Sequence, residues 1–74
     1  MMQIAAIRKN SREEFRISID EFHGRRLANI RCWFARGDGE FAPGKQGIAL
    51  QAHHIAGIIE ALQAAAAELK GGAA

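Results

Sequence analysis

The chain has 74 residues, a formal net charge of +2 and one cysteine, Cys32, which fits a single domain in a reducing compartment without an internal disulfide. No apolar run approaches the roughly 20 residues that cross a bilayer, and no signal-peptide pattern opens the chain, so we expect neither membrane nor secretion. A domain this small buries only about 60% of the surface that its unfolded chain exposes, and a partner subunit would supplement its core.

The first half of the chain predicts strands. Residues 2–8 form a first extended run, and residues 15–20 alternate apolar and polar side chains with the period of a half-buried strand. His23 and Gly24 form a turn signal, after which residues 26–35 form another extended run. Strict alternation along this run separates two sets of side chains: Ala28, Ile30 and Cys32 on one face, and Leu27, Asn29, Arg31 and Trp33 on the other.

Glycines mark the irregular positions that follow. Gly37-Asp38-Gly39 is a strong turn signal, because glycine supplies the positive φ angles that tight hairpins need. Pro43-Gly44 marks a second irregularity, and residues 47–50 are expected to form a short last strand. The predicted strands therefore all lie within residues 1–50.

From about Ala52 the apolar period changes to that of a helix, which is expected to run over about 52–70. No good N-cap residue precedes it, residues 64–67 are alanines that favour continuation, and Gly71-Gly72 is a stop signal. Strands followed by one terminal helix predict an α+β fold in a single domain, residues 1–74. The helix must bury one apolar stripe, on the sheet or on a partner: Ile55, Ile58, Ile59, Leu62, Ala65, Ala66 and Leu69.

Basic charge and aromatic rings are concentrated in the strand region. Residues 1–36 carry eight Lys and Arg against four acidic residues, whereas residues 37–74 carry two against four. Seven of those eight are arginine, whose planar fork suits phosphate and stacks on bases. Rings among arginines are typical of a platform for single-stranded nucleic acid, although a solvated surface and rings in a core are the plainer alternatives. The rings are Phe22, Trp33, Phe34 and Phe41.

We find no residue pattern that supports catalysis or metal binding. His53 and His54 are adjacent on the predicted helix, so they point about 100° apart and cannot share an ion as an i, i+4 pair would. Cys32 lies in no CxxC motif, and no glycine pattern resembles a P-loop. We therefore expect no enzymatic activity, catalytic residue, metal, cofactor or small-molecule substrate.

Two motifs together are quite specific, although either alone is weak: an aromatic-Xaa-Gly-basic turn and a Gly-Glu-Xaa-Xaa-Pro-Gly-basic-Xaa-Gly-Ile-Xaa-Leu string. With Ile7–Ser11 and Glu14-Phe15 upstream, the chain resembles the single-stranded-DNA-binding domain of the transcriptional coactivator positive cofactor 4 family, especially its compact prokaryotic members. The resemblance runs from about Ile7 to the end of the helix. Here the two motifs are Phe22-His23-Gly24-Arg25 and Gly39-Glu40-Phe41-Ala42-Pro43-Gly44-Lys45-Gln46-Gly47-Ile48-Ala49-Leu50. The stretch between them that shares the resemblance is Ile30-Arg31-Cys32-Trp33-Phe34.

This resemblance implies a curved four-stranded antiparallel sheet followed by one C-terminal helix. It also implies a homodimer whose helices pack together and whose sheets bind single-stranded DNA with little sequence preference. His23 and Gln46 replace basic residues of the family, which predicts weaker electrostatic affinity. By position, Phe22 and Phe34 correspond to base-stacking aromatics, and Arg25, Arg31 and Lys45 to backbone-binding cations.

Alternation and resemblance disagree about which ring of β-strand 26–35 contacts bases. Alternation puts Trp33 with Arg31 and Phe34 with Ile30, whereas the resemblance assigns stacking to Phe34. We expect a β-bulge between Arg31 and Phe34 that reconciles the two. The predicted dimer interface is Ile55, Ile58, Ile59 and Leu62, and the predicted nucleic-acid site is Phe22, His23, Arg25, Arg31, Trp33, Phe34 and Lys45.

Three functions stay open on the sequence: single-stranded DNA binding in transcription, replication or repair, RNA binding by the same platform, and protein interaction through the helix stripe. Stacking and phosphate contacts do not separate RNA from DNA, since that requires contact with the 2′-hydroxyl. The sequence lacks the serine-rich and acidic leader of the eukaryotic coactivator, which favours a stand-alone prokaryotic or phage protein. Such a protein is expected in the cytoplasm with the nucleoid, and a eukaryotic one in the nucleus.

Overall fold

A computed structural model describes residues 2–72, so that Met1, Ala73 and Ala74, the ends of the predicted domain, lie outside the described residues. The strands form one antiparallel sheet in the order β1-β2-β3-β4, and a single helix follows. The predicted α+β class, with four antiparallel strands followed by one helix, is confirmed. The elements are β1 Met2–Arg8, β2 Glu13–Phe22, β3 Arg25–Ala35, β4 Phe41–Leu50 and α1 Ala52–Gly72.

The β2–β3 hairpin turns on two residues with positive φ, 52° at His23 and 77° at Gly24. Phe22 pairs with Arg25 across the turn, so the loop has two residues. Two-residue loops match the right-handed twist of the strands when both central residues have positive φ. Glycine adopts this conformation readily, and histidine is one of the residue types enriched there. The turn predicted at these two positions is confirmed.

The sheet has two chemically different faces because the β2–β3 register runs without a shift from Phe22↔Arg25 to Glu13↔Phe34. We call one side the apolar face: Ile7, Phe15, Ile17, Ile19, Ala28, Ile30, Cys32, Phe34, Ile48 and Leu50. We call the other side the arginine face: Arg8, Glu14, Arg16, Asp20, Phe22, Arg25, Asn29, Arg31, Trp33 and Phe41.

The last strand is longer than predicted. It runs over Phe41–Leu50 rather than 47–50, and Pro43-Gly44 lies inside it as an irregularity. A Cβ atom at Gly44 would lie 2.7 Å from the carbonyl oxygen of Cys32, so the close approach of β4 to β3 requires glycine here.

The predicted bulge lies in a different strand. Residues 44–46 of β4 stand opposite Cys32 alone, so the extra residues belong to β4. Strand β3 keeps its alternation against β2, and the expectation of a bulge between Arg31 and Phe34 within β3 is wrong. The pairs on either side of the irregularity are Arg31↔Gly47 and Trp33↔Pro43.

Helix α1 has an unusual start. His54 Nδ1 accepts a hydrogen bond of 3.2 Å from the backbone N–H of Gln51, which precedes the helix. This contact is half of a capping box, made by histidine where Glu or Gln is usual, and it compensates for the weak N-cap. Ala52 and Ile55 line a hollow of 400 Å³ beside the apolar face, and the helix ends at Gly72, two residues later than predicted.

The described residues contain almost no buried core. Among them only Cys32 and Leu50 are buried apolar residues, 6% and 9% exposed. The radius of gyration is 14.5 Å, against about 11 Å for a compact domain of this length. Large apolar side chains on both the sheet and the helix stay more than half exposed, among them Ile7, Ile48, Ile59 and Leu62.

Candidate nucleic-acid interface

Phe34 is an exposed aromatic ring, 44% exposed, at the far end of the apolar face. Two hollows flank it. One, of 430 Å³, is lined by the β1–β2 loop including Arg12, and the other, of 320 Å³, by the irregular segment of β4 including Lys45. The ring therefore has open space on either side, with Arg12 lining one hollow, Lys45 the other and Glu13 both. A ring with a neighbouring cation can stack on a base and bind the phosphate beside it.

The β1–β2 loop that carries Arg12 is held by Asn10. Asn10 Oδ1 accepts hydrogen bonds from the backbone N–H groups of Arg12 and Glu13, at 2.9 and 2.8 Å. Its Nδ2 donates to Glu13 Oε1 at 2.9 Å. Asparagine suits this position because its side chain bonds the backbone two residues on. The loop thereby has a defined shape next to Phe34.

Glu13, at the end of this loop, forms a hydrogen-bonded pair with Cys32 of β3. The Cys32 thiol donates to Glu13 Oε2 at 3.3 Å, and Lys9 Nζ lies 3.5 Å from Glu13 Oε1. The hydrogen bond from Asn10, then the thiol and Lys9, lower the pKa of Glu13 below its usual value of 4.5. Burial, and then the Glu13 carboxylate, raise the pKa of the Cys32 thiol above its usual 9.0. The thiol is therefore neutral at pH 7 and a poor nucleophile.

The arginine face carries a cluster of cations and rings. The guanidinium carbon of Arg16 lies 4.1 Å from the centroid of the Trp33 ring and 5.5 Å from that of Phe41. The guanidinium carbon of Arg8 lies 5.7 Å from the same Phe41 centroid. Arg16 Nε donates to Glu14 Oε2 at 2.5 Å. Trp33 is half-buried, and a guanidinium group covers one of its faces.

Arg31 reaches from β3 toward β4 on the arginine face. Its Nη1 donates to the carbonyl oxygen of Gly44 at 2.9 Å, and its Cα pairs with that of Arg16 on β2. A third group of this face, Asp20, accepts hydrogen bonds from Asn29 Nδ2 and, at 3.2 Å, from Ser18 Oγ. The charged groups of Arg31 and Asp20 are therefore held by neighbouring groups rather than freely solvated.

The structure does not bring all seven predicted site residues together. Arg31 and Trp33 lie on the arginine face, while Phe34 and Lys45 line a hollow on the other side. Three others, Phe22, His23 and Arg25, lie at the hairpin end of β3, where Phe22 is 62% exposed and its ring centroid is 4.1 Å from that of His23. At the usual rise per residue this hairpin lies about 30 Å from Phe34 along the strand.

Sequence reasoning missed Arg8, Arg12 and Arg16. Arg16 alternates with Phe15 and Ile17, a pattern that placed it opposite the apolar residues without showing what it touches. Its contact with Trp33 depends on the register between β2 and β3, which alternation within one strand does not reveal.

Of the four residues predicted at the dimer interface, Ile55 and Ile58 are half-buried within the protomer. Ile59 and Leu62 are 51% and 60% exposed. The helix stripe therefore has a part that the protomer itself covers and a part that it leaves in water.

Two of the three histidines, His53 and His54, lie in helix α1, and His23 lies in the β2–β3 hairpin turn. The rings of His53 and His54 are 4.1 Å apart in the first turn of α1. Across residues 2–72 no three His, Cys, Asp or Glu side chains gather into a group that could hold a metal ion. In the same part of the chain, no helix combines the length and hydropathy needed to cross a membrane.

Comparison with known proteins agrees with this architecture. The sequence profile of the family Transcriptional Coactivator p15 (PC4) matches residues 9–61. A PC4 homologue from Burkholderia pseudomallei K96243 is 33% identical, with TM-scores of 0.82 and 0.80 in its orthorhombic and tetragonal crystal forms. The match covers 86% of this chain, and 86% and 94% of those chains.

A bacteriophage T5 homologue of the eukaryotic coactivator PC4 has a TM-score of 0.71 over 93% of this chain and 80% of its own. At 21% identity this second likeness shows the fold alone. A comparison with curated protein sequences finds no match.

A small antiparallel sheet with one terminal helix and exposed rings among arginines defines a DNA-binding module of the transcription-coactivator type. The chain belongs to the PC4 family, as a compact member of the prokaryotic kind. The resemblance noted in the motifs is confirmed.

Proposed function

We propose that this protein binds single-stranded DNA as a homodimer, with little sequence preference. The observation that carries the proposal is Phe34, an exposed ring between two hollows, each lined by a cation, Arg12 or Lys45. Aromatic rings accept any base by stacking, and neighbouring cations follow the phosphate backbone, so this combination binds without reading sequence. A duplex keeps its bases stacked on each other, and the ring therefore favours single strands.

The homodimer is supported by what one protomer leaves uncovered. A stripe of α1 and the apolar face both expose large side chains, and only two apolar residues among those described are buried. The expanded radius of gyration agrees with a chain that completes its core by association. A second copy related by a two-fold axis would present the same stripe, and Ile59 and Leu62 would meet their equivalents.

The cellular process is proposed by class only. The phage T5 homologue is implicated in recombination-dependent DNA replication, and the family takes its name from a transcriptional coactivator. We therefore place this protein in transcription, replication or repair, wherever single strands are exposed. In a prokaryotic cell such a protein would lie in the cytoplasm with the nucleoid.

The proposal is tested by competition. A labelled 20-nucleotide oligo(dT) is bound to the protein and displaced with unlabelled single-stranded DNA, duplex DNA or RNA of matched length. We expect single-stranded DNA to compete best, and log affinity to fall with log salt at a slope of roughly −0.7 per neutralised phosphate. Equal competition by the duplex would overturn the preference for single strands, and stronger competition by RNA would reassign the ligand.

Mutation distinguishes the contributions of Phe34 and Trp33, the two aromatic rings of β3, to binding. Phe34→Ala should weaken binding by about 1–3 kcal/mol, the usual contribution of one stacked base. Trp33→Ala should weaken it less, because Arg16 covers one face of that ring. Circular dichroism checks that both variants fold. If Phe34→Ala binds normally and a folded Trp33→Ala does not, the assignment of stacking to Phe34 is wrong.

A further inference from the structure

The arginine face holds more positive charge than its own residues balance. Arg16 pairs directly with Arg31 across β2 and β3, and Arg8 pairs with Glu14 across β1 and β2. Like charges directly opposite on neighbouring strands destabilise a sheet. Of the two acids that we placed on this face, Glu14 is ion-paired with Arg16, and Asp20 is bonded to Asn29 and Ser18. Among residues 2–72 this leaves Arg8 and Arg31 without a carboxylate partner. Such an arrangement favours the binding of an external anion.

Arg16 has the geometry to bind that anion. Stacking on Trp33 fixes the plane of its guanidinium group, and Glu14 takes only the Nε edge. Among residues 2–72 its two terminal nitrogens have no hydrogen-bond partner, and 24% of the side chain is exposed. A planar fork held in place by a ring suits the two free oxygens of a phosphodiester.

Arg8 supplies a second cation next to the same position. It lies diagonally across from Arg16 in the β1–β2 register, and the two guanidinium carbons lie 5.7 and 5.5 Å from one centroid, that of Phe41. Two cations over one ring repel each other unless an anion lies between them.

We propose that Arg8 and Arg16, above the rings of Phe41 and Trp33, form a phosphodiester-binding site, and that Glu14 weakens this site by competing for Arg16. This inference rests on the proposed function, since the phosphodiester belongs to the bound single strand. The site lies on the opposite side of the sheet from Phe34, so the DNA strand would pass around β4, an edge strand of the sheet, to reach both. Glu14, with 12% of its side chain exposed, acts as an internal substitute for phosphate.

The test compares charge-neutralising variants in binding to labelled oligo(dT) at several salt concentrations. Arg16→Gln should bind about tenfold more weakly, because a charged hydrogen bond to phosphate is lost. Its salt slope should shrink by about 0.7 for each phosphate contact removed. Lys70→Gln is the matched control, since it removes the same charge from the last turn of the helix. It should leave both quantities unchanged.

Glu14→Gln provides a test that does not weaken the fold, since glutamine keeps an oxygen that can accept from Arg16 Nε. With the competing charge removed, this variant should bind oligo(dT) about threefold or more tightly, with a slope at least as steep as that of the original protein. If a folded Glu14→Gln binds oligo(dT) no more tightly than the original protein, Glu14 does not compete with phosphate for Arg16. If Arg16→Gln binds as tightly as Lys70→Gln and with the same salt slope, Arg16 is not part of a phosphodiester-binding site.

The two proposals fail in different ways. If the unmodified protein does not bind oligo(dT), the proposed function fails. If it binds, loses affinity in Phe34→Ala and keeps it in a folded Arg16→Gln, only the phosphodiester site fails. Should Arg16→Gln not fold, Glu14→Gln decides the inference by itself.

Discussion

The two faces of the sheet differ in how far the protomer itself covers their aromatic and apolar side chains. On the arginine face, guanidinium groups cover the rings of Trp33 and Phe41, and Glu14 balances part of the charge, so this surface is stable in water. On the apolar face, Phe15 and Ile48 stay 38% and 54% exposed, although the Lys9 ammonium nitrogen lies 5.6 Å from the centroid of the Phe15 ring. A surface whose charges have polar partners is stable in water without a ligand. An exposed apolar surface, in contrast, has to be covered for the domain to be stable.

The largest expected effect concerns the uncovered side. Ile59→Glu changes a helix residue that is already 51% exposed in the protomer, so the protomer alone should tolerate it. In a dimer joined by the helix stripe, an unpaired carboxylate would be buried at a cost of several kcal/mol, raising the dimer dissociation constant by about 1000-fold. Sedimentation equilibrium measures this change.

Ala64→Glu is the control for this experiment, because it introduces the same charge on the opposite side of the same helix. It should leave the dimer intact. If Ile59→Glu dimerises as tightly as Ala64→Glu, the helix stripe is not the interface, and the apolar surfaces of the protomer must be covered in some other way.

A smaller effect is expected where β4 crosses close to β3. Gly44→Ala would place a Cβ atom 2.7 Å from the carbonyl oxygen of Cys32, and the backbone would have to move. We expect a loss of about 1–3 kcal/mol in the free energy of unfolding, measured by urea denaturation. Gly37→Ala serves as control, because a Cβ atom there meets nothing within 4 Å. Equal stability of the two variants would show that β4 adapts without strain.

The smallest expected effect concerns the pH dependence of stability, and it comes from Glu13, which pairs with Phe34 across β2 and β3. The pKa of Glu13 is lowered in the folded protein, so its contribution to stability is present above the usual value of 4.5 and disappears as the pH falls through the lowered folded value. Melting temperatures between about pH 5 and pH 3 should therefore fall less steeply in Glu13→Gln than in the unmodified protein. Glu60→Gln, an exposed carboxylate on the helix, is the control and should follow the unmodified protein. Parallel curves for all three would contradict the role of Glu13.

Part of the candidate site could be predicted from the sequence, because aromatic and basic residue types by themselves indicate stacking on bases and binding of phosphate. The family resemblance pointed to Phe34 and Lys45, which line one hollow, and alternation placed Arg31 and Trp33 on one face, as the structure has them. Their roles in binding, and that of Phe22 at the distant hairpin, stay predictions. The contacts of Arg8 and Arg16 were not predictable, since they depend on which residues of neighbouring strands stand opposite each other. The bulge was assigned to the wrong strand for the same reason: residues 44–46 are extra only in relation to Cys32 on the neighbouring strand.

By itself the sequence determined the α+β class, the existence of four strands and a helix, the two-residue turn at His23-Gly24 and the family. These follow from local periodicity, from glycine and from short motifs, all of which act over a few neighbouring residues. Only the tertiary structure decided that Arg16 covers Trp33, that Phe34 lies between two cation-lined hollows, and that the helix leaves Ile59 and Leu62 exposed. Register and packing join residues far apart in the chain, and the energy of those contacts exists only once the strands are paired.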